Sequence, residues 1–161
     1  MKKFKTAIFI SLFVVVLDQL TKWIIRSNLH LHENVPLFSF FDITHVRNTG
    51  AAFGILRGLP EYMRIPLFAI VLVVAIVVIL LFLKKIADTD RVLIVSLSLI
   101  LGGAIGNSID RFRLGYVTDF LSFHWFGNPN YHWPPFNVAD SAITIGVILI
   151  VFDAFFMKRG R

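Results

Sequence analysis

The chain of 161 residues contains no cysteine, which removes disulfides, cysteine-ligated metals and a cysteine nucleophile from consideration. Charge is scarce too. Only 16% of residues are charged while 57% are hydrophobic, against about 25% and about 45–50% in soluble domains. The five histidines, His30, His32, His45, His124 and His132, include no His-Glu-x-x-His spacing, so a zinc-peptidase helix is excluded and neither a metal nor another cofactor is expected. Aromatic-interleaved basic stripes, the footprint of a nucleic-acid binder, are missing despite a net charge of +6. The basic residues stand at the ends of apolar runs, where anionic headgroups account for them. The composition is that of a membrane protein whose surroundings are membrane lipids, with no nucleic-acid partner.

Four apolar runs are present, at about 6–25, 65–83, 91–110 and 141–157, each near the ~20 residues that a helix needs to cross the hydrocarbon core. They predict one mainly α integral-membrane domain over residues 1–161. The first run follows Lys2, Lys3 and Lys5 as a secretory signal would, but no small-x-small site follows it and Asp18 interrupts it, so it is expected to be retained. Flanking charge sets an orientation. Lys2, Lys3, Lys5, Lys84, Lys85, Arg91, Lys158, Arg159 and Arg161 stand against Asp88 and Asp90 on one side, a net +7. The opposite side carries six basic and six acidic residues, a net of zero. Both termini are therefore expected in the cytoplasm, with the long connections 26–64 and 111–140 sharing the outer face.

Polar residues gather at that outer level. Run three closes with Asn107, Asp110 and Arg111; Asp119 follows in "GYVTDF", and run four is preceded by "FNVADSA" with Asn137 and Asp140. A carboxylate at the edge of an apolar run is costly unless paired, solvated or used. Two readings stand for Asp140: a plain helix N-cap, or one half of a pair of carboxylates in which one stays protonated while the other acts as base. Asp110 with Arg111 reads as a boundary ion pair. Ser96, Ser98 and Ser108 have no in-span base to activate them. His124 and His132, among Trp125, Tyr131 and Trp133, read as an interfacial aromatic belt.

The blocks "DQLTK", "RNTGAAFG", "GGAIGNSIDR", "VTDF" and "FNVADSA", in that order between four spans, resemble the bacterial lipoprotein signal peptidases, the signal peptidase II family. The resemblance covers essentially the whole chain. It implies an aspartic endopeptidase of the bacterial cytoplasmic (inner) membrane, acting at the outer face, that removes the signal peptide of diacylglyceryl-modified prolipoproteins just before the lipidated cysteine. It implies Asp119 and Asp140 as the catalytic pair, and Asp18, Lys22, Asn48, Asn107, Asp110, Arg111 and Asn137 as substrate-binding or supporting residues. It further implies a small β-rich cradle from the first outer connection, a mobile outer segment near the second, and cyclic-peptide antibiotics of the globomycin type as inhibitors.

Several of these residues keep a plainer reading beside the implied one. Asp18 precedes Lys22 by four residues and suits an intrahelical pair with Lys22 snorkelling outward. Asn48 follows the alternating "FDITHV" and suits a strand end and turn. Gly102 and Gly106 suit close helix packing, and Asp153, near Lys158, a boundary charge. Two other classes of function stay open, a small transporter with a carboxylate-lined path and a structural subunit. Phe38, Phe40, Phe41 and Phe53 add an apolar flank near the acidic cluster.

Overall fold

The computed structural model describes residues 2–50, 56, 58–125 and 128–157, the side chains of 125, 128–132 and 157 excepted. Four helices are long and apolar enough to cross a membrane: α1 (Lys2–Asn28), α2 (Glu61–Lys85), α3 (Arg91–Leu114) and α4 (Val138–Phe152), the last running into a π-helical turn at Asp153–Met157. Each covers one of the apolar runs; α1 and α2 overrun theirs at both ends, α3 at its C-terminal end and α4 at its N-terminal end. Backbone groups near hydrocarbon have no water to bond, and lysine and arginine are good helix formers, so helix continues through Lys2–Lys5 and through Arg111–Leu114.

Between α1 and α2 lie β1 (Asn34–Phe38) and β2 (Phe41–Asn48); between α3 and α4 lie β3 (Val117–Trp125) and β4 (Asn128–His132). They form one antiparallel sheet in the order β1-β2-β3-β4. The expected cradle is thus present, but half of it comes from the second connection. β2 pairs with β3 so that Val46 faces Asp119 and Asn48 faces Val117, which draws the first connection onto the segment carrying Asp119. Residues 126–127, inside the outer segment that the resemblance marks as mobile, lie outside the described residues, as do Phe53, Arg57, Lys158, Arg159 and Arg161.

Helix α3 is the centre of the bundle, and glycine makes its close contacts possible. A Cβ on Gly102 would stand 2.8 Å from the Ser11 carbonyl oxygen, and one on Gly106 would stand 2.7 Å from Asp18 Oδ2, so this pair seats α3 on α1. On the other side a Cβ at Gly103 would stand 2.4 Å from the Ala139 carbonyl oxygen, and one at Gly146 of α4 would stand 2.7 Å from that of Ser96. Toward the α2–α3 connection the core is apolar, built from Ala7, Ile79, Leu83, Ile94 and Leu97. Lys3 Nζ donates to the Ile86 carbonyl oxygen at 2.6 Å, tying the start of α1 to that same end. Toward the sheet many of the buried residues are polar: Asp18, Lys22, Asn107, Asp110, Thr118, Asp119 and Asn137, beside apolar Val117, Phe120 and Ala139. Helix α2 leaves most of its surface apolar and exposed, from Ile70 to Phe82, as a helix apolar all round does against lipid.

Candidate active site

Two carboxylates reach the site from different elements. Asp119 sits on β3 and is 2% exposed; its Oδ2 accepts from Asn48 Nδ2 at 3.0 Å and its Oδ1 from Asn137 Nδ2 at 2.7 Å. Asp140 lies in the first turn of α4, where Oδ1 accepts from Asn107 Nδ2 at 2.7 Å and Oδ2 from the Asn137 backbone N–H at 3.3 Å. The plain N-cap reading of Asp140 is corrected here. Asn137 is the N-cap, its Oδ1 accepting from the Asp140 N–H at 2.9 Å, and Asp140 closes the reciprocal half of a capping box. Helix α4 therefore starts at Val138, three residues before the apolar run.

Asn137 is the hinge of the arrangement. Its backbone N–H binds Asp140 and its side-chain amide binds Asp119, while the same Nδ2 reaches Asn107 Oδ1 at 3.2 Å. One buried residue thus ties both carboxylates together. Asn48 makes the expected turn and also reaches Asp119: Oδ1 accepts from the Gly50 N–H at 3.0 Å, as in an Asx turn, which aims Nδ2 at Asp119.

Burial, and then the negative charge of Asp140, hold the Asp119 carboxyl up to about 7, against the opposing hydrogen bonds of Asn48 and Asn137 and the charge of Lys22. Asp119 therefore holds its proton below about pH 7 and shares the titration range of neutral solution. Such a pair combines an acid and a base in one place.

A second polar layer lies beneath. Lys22 does not snorkel: it is 0% exposed and turned inward, with Nζ 2.8 Å from Asp18 Oδ2, 3.5 Å from Asp110 Oδ2 and 2.9 Å from Asn107 Oδ1. Outward extension would leave Asp18 and Asp110 buried with less compensation. The expected Asp110–Arg111 pair does not form, because consecutive helical residues face different ways. Asp110 instead takes Lys22 and, at 3.6 Å, Arg26 Nη1. Arg111 stacks its guanidinium 4.3 Å above the Phe68 ring and donates from Nη2 to the Gly50 carbonyl oxygen at 3.3 Å, its buried Nε finding no partner among the described residues.

Gln19 and Arg26 escaped the sequence reading. Gln19 Nε2 donates to Asp18, Asp110 and the Gly106 carbonyl oxygen at 3.0–3.2 Å, and Arg26 Nη1 donates to Thr118 Oγ1 at 3.1 Å. A signal existed for Arg26, since Asp18, Lys22 and Arg26 recur every fourth residue and so share one face of α1. His124 Nε2 lies 3.3 Å from Asp42 Oδ1 within the sheet. The side chains of Trp125, Tyr131 and His132 lie outside the described residues. Ser96 and Ser98 bond back to the carbonyls of Val92 and Ile94. Among the described residues no group of three metal-ligating side chains occurs.

A cavity of about 800 Å³ opens over the pair, with Asn48, Asn107, Arg111, Asp119 and Asp140 at its polar end. Its other walls are mainly apolar, supplied by Phe68, Val71, Leu72 and Ala75 of α2 and by Ile143 and Ile145 of α4, with the hydroxyls of Ser108, Ser141 and Thr144 among them. The site is polar at one end and oily along its length.

Comparison with known proteins agrees with this architecture. A family model described as signal peptidase (SPase) II matches residues 10–156. The lipoprotein signal peptidase of Syntrophotalea carbinolica is 48% identical over 150 residues, 92% of this chain and 90% of that protein. That of Psychromonas ingrahamii is 42% identical over 154 residues, 96% and 87% of the two chains. Two solved bacterial membrane enzymes, determined by the in meso method at 2.3 and 1.9 Å resolution, share the fold with TM-scores of 0.82 and 0.80 at 38% identity. Those alignments cover 93% and 94% of this chain and 87% and 94% of theirs. With the family match running from the first helix to the last and the fold shared with solved membrane enzymes, this multi-pass membrane protein belongs to the signal peptidase II family of aspartic peptidases.

Proposed function

We propose that the protein removes the signal peptide from diacylglyceryl-modified prolipoproteins, cleaving just before the lipidated cysteine, with Asp119 and Asp140 as the catalytic pair. The observation that carries this reading is the joining of two carboxylates through Asn137 at the polar end of a cavity whose remaining walls are mainly apolar. In this reading Asp140 is the ionised partner, placed at a helix N-terminus where negative charge is favoured, and Asp119 is the protonated one. Asp140 takes a proton from water as the oxygen attacks the carbonyl carbon, and the Asp119 hydroxyl donates to the developing oxyanion. Transfer of the Asp140 proton to the leaving nitrogen then breaks the C–N bond, giving a carboxyl group and a free amine. Asn48, Asn107 and Asn137 orient the pair, and Arg111 and Asn48 face the substrate backbone.

The diacylglyceryl chains occupy the apolar wall between α2 and α4, where burial contributes ~0.8 kcal/mol per CH₂ before losses, and held there they set the peptide bond beside the carboxylates. Cyclic peptides of the globomycin type compete for the same cavity. The whole chain acts as one domain in the cytoplasmic membrane, both termini inside and the site at the outer face, in keeping with the +7 against zero asymmetry of flanking charge. A proton-conducting transporter fits less well, since the core between the site and the opposite end is apolar and α2 carries no ionisable residue between Arg64 and Lys84.

Purified protein in detergent, offered matched lipidated and unlipidated precursor peptides, tests the reading. Cleavage of the lipidated peptide alone is expected. Equal rates on both would remove the lipid from the mechanism.

A further inference from the structure

We infer that Lys22 is a shared strut that sets the two active-site carboxylates relative to one another, a positioning residue of the peptidase reaction. The inference rests on the dyad reading given above. The residue just before each aspartate has its backbone N–H held by a different buried carboxylate. Thr118 N–H donates to Asp110 Oδ2 at 3.1 Å, one residue before Asp119, and Ala139 N–H donates to Asp18 Oδ1 at 2.9 Å, one residue before Asp140. Both carboxylates then converge on a single ammonium, Lys22 Nζ, at 3.5 and 2.8 Å.

The third donor of that ammonium goes to Asn107 Oδ1 at 2.9 Å. Asn107 Oδ1 also accepts from Asn137, so its amide has one orientation open to it, with Nδ2 toward Asp140 at 2.7 Å. Three routes from one nitrogen thus end on β3, on the first turn of α4 and on Asp140 itself. At 0% exposure Lys22 is out of reach of a bound substrate. Filling a core takes no such network, because apolar side chains of similar volume are as stabilising as a buried ion pair or more so. What the network supplies is a second tie between β3 and the first turn of α4, on the side away from the backbone bridge of Leu121 to Phe136.

The test uses the full chain in detergent with a lipidated peptide that spans the cleavage site. Lys22→Met is expected to lower kcat about 100-fold, the scale of a misplacement near 1 Å, while KM stays within about twofold of wild type. The basic limb of its pH–rate profile is expected to move upward, because the Lys22 charge opposes the rise at Asp119. Arg111, the other cation acting on Asp119 and Asp140, is kept in this variant. Where Lys22→Met does not accumulate, Lys22→Met with Asp18→Asn removes one charge of each sign and leaves Asp110 paired with the half-buried Arg26, and the kcat loss at constant KM is the readout.

Asp119→Asn in the same assay separates the two claims. Turnover by it would overturn the dyad reading and this inference with it. An inactive Asp119→Asn beside Lys22 variants within about threefold of wild type would overturn this inference alone, as would a loss shared between kcat and KM with the pH limb unmoved.

Discussion

Substituting Gly103 by alanine is expected to damage catalysis from a position that touches neither carboxylate. The new Cβ would stand 2.4 Å from the Ala139 carbonyl oxygen and 2.7 Å from Ile143 Cγ1, whereas real Cβ contacts begin near 3.0 Å. The Ile143 side chain has rotamers to use; the Ala139 carbonyl does not. It must retreat by at least ~0.6 Å, the difference between 2.4 and 3.0 Å, and the whole first turn of α4 must go with it. That turn carries Asp140, bound to Asn107 at 2.7 Å, and the Ala139 N–H, bound to Asp18 at 2.9 Å. Overpacking of this kind costs about 1–3 kcal/mol, and a shift approaching 1 Å at a reacting group costs on the order of 100-fold in rate. Purified variants compared for kcat on a lipidated peptide and for unfolding temperature in detergent give the answer. Gly58→Ala, where nothing lies within 4 Å of the added Cβ, serves as the control and should match wild type. A Gly103→Ala protein with wild-type kcat and unfolding temperature would refute the coupling of α3 packing to the site.

The acid Asp119, held up to about 7 in the folded protein from an ordinary 3.8, stays protonated in that window while its unfolded counterpart ionises. Its contribution to stability is full below 3.8 and is lost as pH rises through about 7, and kcat should fall above about 7 as the pair loses its proton; a flat profile from 6 to 9 would contradict this. Asn48→Ala removes a hydrogen bond that opposes the shift, so its basic limb should lie higher than that of wild type, and a lower one would remove Asn48 from the site. For topology, a cysteine introduced between β1 and β2 should react with an impermeant thiol reagent added outside and one beside Lys84 should not; the reverse pattern would invert the orientation.

The helices were legible because hydrophobicity over about 20 residues is a signal that neighbours cannot blur, and the polar residues at one end were legible because carboxylates are rare at that depth. β3 was not. Val117, Thr118, Asp119 and Phe120 are all buried, so the half of the strand that carries the aspartate has no solvent face and hence no alternation to read. β2, with "FDITHV" alternating, was visible. Lys22 shows a second limit: pairing with Asp18 along the helix and snorkelling outward look the same in one dimension, and only the arrival of Asp110 and Asn107 from α3 turns the ammonium inward. Gly103 shows a third. Its neighbours Gly102 and Gly106 form a spaced pair that signals packing, but which partner the residue between them faces depends on α4, met 36 residues later at Ala139.

Cleavage of a diacylglyceryl-modified precursor by Asp119→Asn, by Asp140→Asn and by the double variant, each confirmed to accumulate in the membrane, tests the central claim most directly. Each single change is expected to abolish product release, and the double variant to be no worse than either, as for groups that act as one unit. Near-normal turnover by either single variant, or losses that multiply in the double, would contradict a catalytic pair built from these two carboxylates.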